Sequence, residues 1–100
     1  MSLFSMKIHL VPNWLLPFGY GIYLPFGIIL VRKDSKNLDY VIEHEKVHHS
    51  QCEQEGSYLK WIIKYLYYNI KYGYRDNPYE VEARAIGESM SRLNSNESDI

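Results

Sequence analysis

The chain from Asn37 to Gly73 carries the hydrophobic pattern of two consecutive helices. Apolar residues recur near helical spacing after Asn37, which can cap a helix start, and this run ends at Gly56, a favoured residue just beyond a helix. Ser57 and Gly73 bound a second run in the same way, and no Pro or Gly interrupts either run. The pattern predicts a half-buried first helix and a second helix over residues 57–72.

The second predicted helix is apolar and aromatic almost all the way round. Three lysines leave it a narrow polar stripe: Lys60, Lys64 and Lys71. Such a helix is typical of a central core position. The alternative is that its surplus aromatic face meets a partner, such as a second copy of the chain, a membrane surface or a substrate. The helix is too short and too charged to span a bilayer.

A third helix is predicted to begin in the segment Asn77-Pro78-Tyr79-Glu80. Asn is a preferred helix cap, Pro is favoured at the first helical position, and Glu is favoured in the first turn. We therefore expect a rigid helix start that holds a first-turn carboxylate against the first helix.

The N-terminal third contains a run, residues 8–31, without Asp, Glu, Lys or Arg. Three prolines and three glycines divide this run into pieces too short for a membrane-spanning helix, and no signal-sequence cleavage site follows. The pieces are typical of short strands around a turn at Pro25-Phe26: Lys7–Val11, Tyr20–Leu24 and Gly27–Arg32. We expect an α+β fold in which a small antiparallel N-terminal sheet packs on about three helices.

Length, charge and cysteine content narrow the class of protein. The 100 residues fit one domain over residues 1–93, followed by a polar tail over residues 94–100 that is expected to be flexible. A formal net charge of −1 and the lack of a Lys/Arg cluster argue against a nucleic-acid partner. The single Cys52 excludes an intrachain disulfide, which suits a reducing compartment and predicts a cytoplasmic location.

The first predicted helix carries the motif His44-Glu45-Lys46-Val47-His48, which reads HExxH. Residues four apart lie one turn above each other on a helix, about 5–6 Å apart at Cβ, so two imidazoles there can bind one tetrahedral metal ion. Glu45 can then act as a general base toward a water that the metal activates. Because so short a motif also arises by chance, a metal site requires in addition a helix and a third ligand.

The third ligand is expected from the acidic pair Glu80 and Glu82 in the third helix. No histidine follows His49, and Cys52 would be strained as a ligand so close to His48. The residues themselves leave either glutamate open as the ligand. Two histidines and one carboxylate favour zinc, although the same set also suits iron.

HExxH followed by a glutamate on a later helix resembles the gluzincin pattern. The segment Glu80-Val81-Glu82-Ala83 is similar to the Glu-x-x-Ala segment that follows HExxH in the CAAX-prenyl-protease and HtpX-type membrane peptidases. The resemblance implies three zinc ligands and a general base: His44, His48 and Glu80, and Glu45. This chain has Arg84 where the family usually has Asp, so the carboxylate that often orients a histidine is missing there or is supplied elsewhere, for example by Glu82.

The small size of the chain is similar to that of the minigluzincins, minimal versions of the catalytic domains of integral membrane metallopeptidases. The motif match covers roughly residues 40–87. The resemblance implies a zincin-like minimal catalytic domain. It also implies a latent peptidase, held inactive like a zymogen by its own terminal segment across the cleft.

We therefore expect a zinc-dependent metallopeptidase with one zinc ion per chain and peptide or protein substrates. The substrate is expected to lie along an exposed edge strand, either Gly19 to Leu24 or Gly27 to Arg32. A donor to the developing oxyanion is expected from a tyrosine near the third helix: Tyr72, Tyr74 or Tyr79. One alternative is a catalytically silent metal-binding module that acts through the aromatic helix 57–72, including by self-association. Another is a chance motif that binds no metal.

Overall fold

In a computed structural model, which describes residues 6–17 and 19–98, three short strands are followed by three helices. The elements are β1 (Lys7–Val11), β2 (Gly21–Tyr23), β3 (Ile28–Arg32), α1 (Leu38–Glu55), α2 (Tyr58–Tyr72) and α3 (Pro78–Ser98). The predicted α+β class is confirmed. The predicted caps are also present, since the Asn37 side chain accepts a hydrogen bond at the start of α1 and the Ser57 side chain accepts one at the start of α2.

β3 lies in the middle of the sheet, between β1 and β2. β2 pairs with β3 in the antiparallel direction across the turn Pro25–Gly27, whereas β1 runs parallel to β3, with Lys7 opposite Ile28. The expectation of a wholly antiparallel sheet is therefore corrected for one of the two strand pairs. A tight turn requires antiparallel pairing, but residues 12–27 connect β1 to β3 and are long enough for the crossover that parallel strands need.

The core lies between the sheet and the helices, with α1 at its centre. α1 packs against the sheet and against both other helices. The side chains of the central strand fill the sheet side of the core, because Ile29 and Val31 point to the same face and are 0% exposed. Cys52 and Trp61 pack against them from α1 and α2.

α2 lies at the surface of the molecule, which corrects the expectation that it would be the central core helix. Its one buried residue is Trp61, whereas several large apolar side chains of the same helix are exposed. The apolar residues of α2 extend further round the helix than the stripe that packs against α1 requires.

α3 continues to Ser98 and so includes residues 94–98 of the predicted flexible tail. Residues 99 and 100 lie outside the described residues, and the domain boundary at residue 93 stays a prediction. Among the described helices, none is long and apolar enough to cross a membrane.

Candidate metal centre

The packing of α1 against α3 brings the HExxH motif against the first turn of α3. His44 and His48 lie one turn apart on α1, with ring centroids 5.1 Å apart, and Glu80 faces them from α3. All three residues are buried, with 8%, 3% and 3% of their surfaces exposed. The structure therefore places Glu80, of the two candidate glutamates, with the histidines.

The ligand atoms of this cluster are close enough to share one ion. His44 Nε2 lies 2.8 Å from Glu80 Oε1, and His48 Nε2 lies 3.3 Å from Glu80 Oε2. One ligand atom from each of the three residues lies within 4.8 Å of the others. Tetrahedral zinc with bonds of about 2.0–2.1 Å separates its ligand atoms by about 3.3 Å, so the group fits a metal ion with a small adjustment.

The start of α3, which positions Glu80, is anchored to α2 by a buried asparagine. The Asn77 side chain accepts a hydrogen bond from Tyr79 N at 2.9 Å and thereby caps α3. Its amide group donates to Tyr65 O at 3.1 Å and to Asn69 Oδ1 at 2.8 Å. The cap predicted from the sequence therefore also ties two helices together at the site.

Gln51 links the histidine site to α2 and α3 through four hydrogen bonds. Its amide nitrogen donates to Tyr79 O at 2.9 Å and to Glu82 Oε1 at 2.8 Å, and both of these atoms are acceptors. The amide oxygen therefore faces Trp61 Nε1, which donates to it at 3.2 Å, and His48 Nδ1 at 3.0 Å. His48 must carry a proton on Nδ1 to donate this bond.

The protonated Nδ1 leaves the Nε2 atom of His48 as the atom that faces Glu80. In a neutral ring this Nε2 is a bare acceptor, and it lies 3.3 Å from a carboxylate oxygen, which is also an acceptor. Burial lowers the pKa of His48, but the Glu80 and Glu45 carboxylates outweigh it, so the pKa is raised. A cation, either a proton or a metal ion, is therefore favoured between His48 and Glu80.

Glu80 is held as an anion by the groups around it. Burial raises the pKa of Glu80, but hydrogen bonds with His44 and His48 outweigh it and the net pKa is far below the ordinary value. A third contact comes from the Tyr65 hydroxyl, which donates to Glu80 Oε2. A carboxylate of this kind is a suitable metal ligand at neutral pH.

Tyr65 is a site residue that the sequence did not single out. It belongs to the apolar and aromatic run of α2, where nothing in its spacing distinguishes it from the other tyrosines. Burial, followed by the contact with Glu80, raises the pKa of the Tyr65 hydroxyl, so this group stays protonated and donates. The contact depends on where α3 delivers Glu80, which the helix pattern does not reveal.

Two expectations remain about the groups around the histidines: that Glu82 binds the metal or orients a histidine, and that the carboxylate missing at Arg84 is supplied elsewhere. Glu82, expected as an alternative ligand or as a group that orients a histidine, contacts Gln51 and reaches His48 only through that amide. His44 Nδ1 is buried and has no hydrogen-bond partner within the described part of the chain. The position one turn beyond Glu80 is occupied by Arg84, which cannot accept a hydrogen bond from an imidazole.

Glu45 lies at the wall of a cleft beside the cluster and is not one of the three clustered residues. Its residue surface is 8% exposed. Burial raises the pKa of Glu45, and the positive forms of His48 and His44 oppose that rise. A carboxylate with a raised pKa, close to a metal site, is suited to accept and return a proton.

The cleft has a volume of about 290 Å³ and opens beside the three clustered residues. The residues of β2 line the cleft, and so do four residues of α2: Tyr58, Trp61, Ile62 and Tyr65. β2 approaches α1 closely because residue 21 is glycine: a Cβ atom there would lie 2.8 Å from Val41 Cγ1 and 3.1 Å from Glu45 Cγ. The absence of a side chain at residue 21 therefore allows the close approach of β2 to Glu45.

The three tyrosines proposed as oxyanion donors have different positions. Tyr74 lines the cleft with 61% of its surface exposed, and desolvation, followed by the nearby Glu80 and Glu45 carboxylates, raises its pKa. The Tyr79 hydroxyl donates to Glu55 Oε2 at 2.8 Å, away from the cluster. Tyr72 is 46% exposed and does not line the cleft.

The order of the strands in the sheet also distinguishes between the two candidate edge strands. β3, which covers most of the candidate Gly27 to Arg32, is the central strand and is paired on both sides. β2, within the candidate Gly19 to Leu24, pairs on one side with β3 and borders the cleft. Of the two candidates, the edge strand that borders the cleft is therefore β2.

Taken together, the described residues form a buried His-His-Glu group that can hold a metal ion, with a further buried carboxylate at the adjoining cleft. Comparisons of the chain with protein-family models, with curated proteins and with solved structures found no match.

Proposed function

We propose that this protein is a zinc-dependent metallopeptidase with a minimal, gluzincin-like catalytic domain. The observation that carries the proposal is the convergence of His44, His48 and Glu80 from two helices, with Glu45 left outside the cluster and facing the cleft. One zinc ion held by these three residues would supply a Lewis acid that polarises the substrate carbonyl and acidifies the attacking water.

Glu45 is the proposed general base and acid. Its carboxylate takes a proton from the attacking water and returns it to the amine nitrogen of the leaving group as the peptide bond breaks. The raised pKa of Glu45 supports both halves of this transfer, because it makes the carboxylate a stronger base while the protonated acid can still pass its proton to the more basic amine.

The edge of β2 is the proposed binding site for the substrate backbone. An extended peptide that pairs with β2 gains main-chain hydrogen bonds independent of its sequence, which holds the scissile carbonyl at a fixed place in the cleft. Tyr74 is the proposed donor to the oxyanion, because it is the one of the three candidate tyrosines whose side chain lines this cleft without a hydrogen bond to Glu55.

Two further parts of the proposal concern location and regulation. The one cysteine is a buried free thiol, which supports a reducing, cytoplasmic location. The latency implied by the family resemblance stays a prediction, because the last two residues of the terminal segment lie outside the described residues.

The exposed apolar face of α2 favours a second candidate, a metal-binding interaction module without catalysis. Such a module would retain the three metal ligands, but it would have no use for a buried carboxylate at the cleft. Glu45 therefore separates the two functions.

The test is cleavage of a quenched fluorescent peptide library by the zinc-loaded protein and by Glu45→Gln. We expect Glu45→Gln to retain zinc and to lose at least about 100-fold in kcat/KM, since it removes the proton acceptor but none of the ligands. Glu43→Gln, a change of the same kind on the same helix at a residue that forms an ion pair with Lys46, is the matched control and should cleave normally. Equal cleavage by wild type and Glu45→Gln would contradict the peptidase proposal.

A further inference from the structure

α2 presents an exposed apolar stripe on the side away from α1. The stripe consists of five large side chains that are all more than half exposed: Leu59 68%, Ile63 58%, Leu66 53%, Tyr67 54% and Ile70 88%. At 100° per residue, these five positions fall within about 100° of the helix circumference, opposite the buried Trp61. An apolar stripe of this size on one helix indicates a binding surface.

A row of positive charge runs along one flank of this stripe. Lys60, Lys64 and Lys71 fall within about 40° of each other on the helix circumference, next to Tyr67. α2 contains no acidic residue. Glu55, at the end of α1, forms an ion pair with Lys64 at 2.8 Å, so three lysines and this one glutamate leave two positive charges in excess. The flank is basic although the whole chain has a net charge of −1.

A second copy of the chain does not suit this surface. The five side chains of the stripe lie along about 16 Å of one helix, so a second copy would bury them against an identical stripe with its own lysine row. An antiparallel pair of stripes related by a two-fold axis would also place both lysine rows on the same side, where like charges repel. A parallel pair would set each row against Ile62 and Asn69, which carry no negative charge.

We propose that the stripe and its lysine row dock α2 onto an anionic membrane surface. Leu and Ile side chains with an adjacent tyrosine and lysines, and no acidic residue, form the composition of a helix that lies in the plane of a lipid interface. The lysine stems extend along the apolar face and place their ammonium groups at the lipid phosphates. The helix is not long and apolar enough to cross the bilayer, so it would lie on the membrane rather than span it.

The docked position would bring the metal cleft close to the lipid headgroups. The inner face of α2 lines the cleft with Tyr58, Trp61, Ile62 and Tyr65, while its outer face carries the stripe. One helix diameter, about 10 Å, thus separates the cleft from the stripe. Membrane docking does not depend on catalysis and is testable in a protein with no peptidase activity.

The test is co-sedimentation of the zinc-loaded full chain with vesicles of phosphatidylcholine, compared with vesicles of an equimolar phosphatidylcholine and phosphatidylglycerol mixture. We expect binding to the anionic vesicles that weakens as salt is raised. Lys60→Gln/Lys71→Gln should bind about 25-fold more weakly, at about fivefold for each lysine. Lys33→Gln/Lys36→Gln, which removes two exposed lysines outside α2, is the matched control and should bind as wild type does.

A second variant tests the apolar stripe itself. Ile63→Gln/Leu66→Gln changes two exposed positions, so the fold and the zinc content should be preserved while vesicle binding is lost. Three results would overturn the proposal: no binding to the anionic vesicles, equal binding to neutral and anionic vesicles, or a wild-type dimer in sedimentation equilibrium that Ile63→Gln/Leu66→Gln converts to monomer. The third result would identify a second copy as the occupant.

Discussion

Gln51 is the residue on which the orientation of the site depends most. It is 2% exposed, and it uses both donors and its acceptor oxygen to join α1 to Trp61, Tyr79 and Glu82. The same oxygen receives the Nδ1 proton of His48 and so turns the Nε2 atom toward Glu80. A neutral amide thus has the role that a carboxylate often has beside a metal-binding histidine.

Replacement of Gln51 by Leu tests this role. The change leaves His48 Nδ1, Trp61 Nε1 and Tyr79 O without their partner, so we expect unfolding free energy to fall by about 2–4 kcal/mol. We also expect zinc affinity to fall about 10–100-fold, measured by competition with a chelator at a temperature where the variant is folded. Gln54→Leu, at an exposed position of the same helix, is the control. Unchanged zinc affinity in folded Gln51→Leu would show that Gln51 does not orient His48 for metal binding.

At the scale of elements, the site depends on the contact between β2 and α1. Gly21 allows this contact, because a Cβ atom would lie within 2.8 Å of Val41 and within 3.2 Å of the Glu45 carboxylate. The strand edge proposed to bind substrate is thereby kept next to the proposed general base.

We expect Gly21→Ala to destabilise the fold by about 1–3 kcal/mol in urea unfolding, because the new methyl group overlaps Val41 and the strand must shift. The matched control is Gly19→Ala, where no atom lies within 4 Å of the added Cβ. The double variant Gly21→Ala/Val41→Ala should recover part of the loss. Equal stability of the two alanine variants would show that the approach of β2 to α1 is not close.

The limits of the elements could be predicted from the sequence because caps and glycines act locally. Asn37, Ser57 and Asn77 cap the three helices as predicted. The parallel pairing of β1 with β3 could not be predicted, because it depends on the path of a long connection rather than on any residue in the strands. The exposure of α2 was also not visible, since an apolar helix surface has the same pattern whether it packs in a core or binds a partner.

The predictions for the site divide in the same way, into features set by local sequence and features set by packing. The spacing of His44 and His48 on one helix was sufficient to place both in one group that could hold a metal ion, and the cap at Asn77 located the helix start that carries Glu80 and Glu82. The choice of Glu80 over Glu82, and the roles of Gln51 and Tyr65, depend on how α1, α2 and α3 pack, which the separate helices do not determine.

At the scale of the whole molecule, folding, proton binding and the proposed metal binding involve the same groups. Because the pKa of His48 is raised, its protonation stabilises the metal-free fold fully below the ordinary histidine pKa of about 6.5. This contribution is lost as pH rises through the raised pKa. Because the pKa of Glu80 is lowered, its ionised form stabilises the fold fully at pH values above the ordinary glutamate pKa of about 4.3. This contribution is lost as pH falls toward the lowered pKa. A zinc ion bound as proposed would compete with the proton for the same site.

The stabilisation by zinc should therefore increase with pH. We expect the difference in Tm between the zinc-loaded and the chelator-treated protein to grow as pH rises through the raised pKa of His48, measured by thermal unfolding in matched buffers. In His44→Ala the difference should be small at every pH. A Tm difference in wild type that does not change with pH would contradict competition between zinc and a proton at His48.

The claim that His44, His48 and Glu80 hold one zinc ion is tested most directly by the metal content of the purified protein. Elemental analysis would compare wild type with three variants: His44→Ala, Glu80→Gln and Glu82→Gln. We expect about one zinc ion per chain in wild type, its loss in His44→Ala and Glu80→Gln, and its retention in Glu82→Gln, because Glu82 contacts Gln51 rather than a histidine. A wild-type protein that holds no zinc even after reconstitution would rule out a zinc centre of His44, His48 and Glu80. Loss of zinc in Glu82→Gln but not in Glu80→Gln would rule out Glu80 as the third ligand.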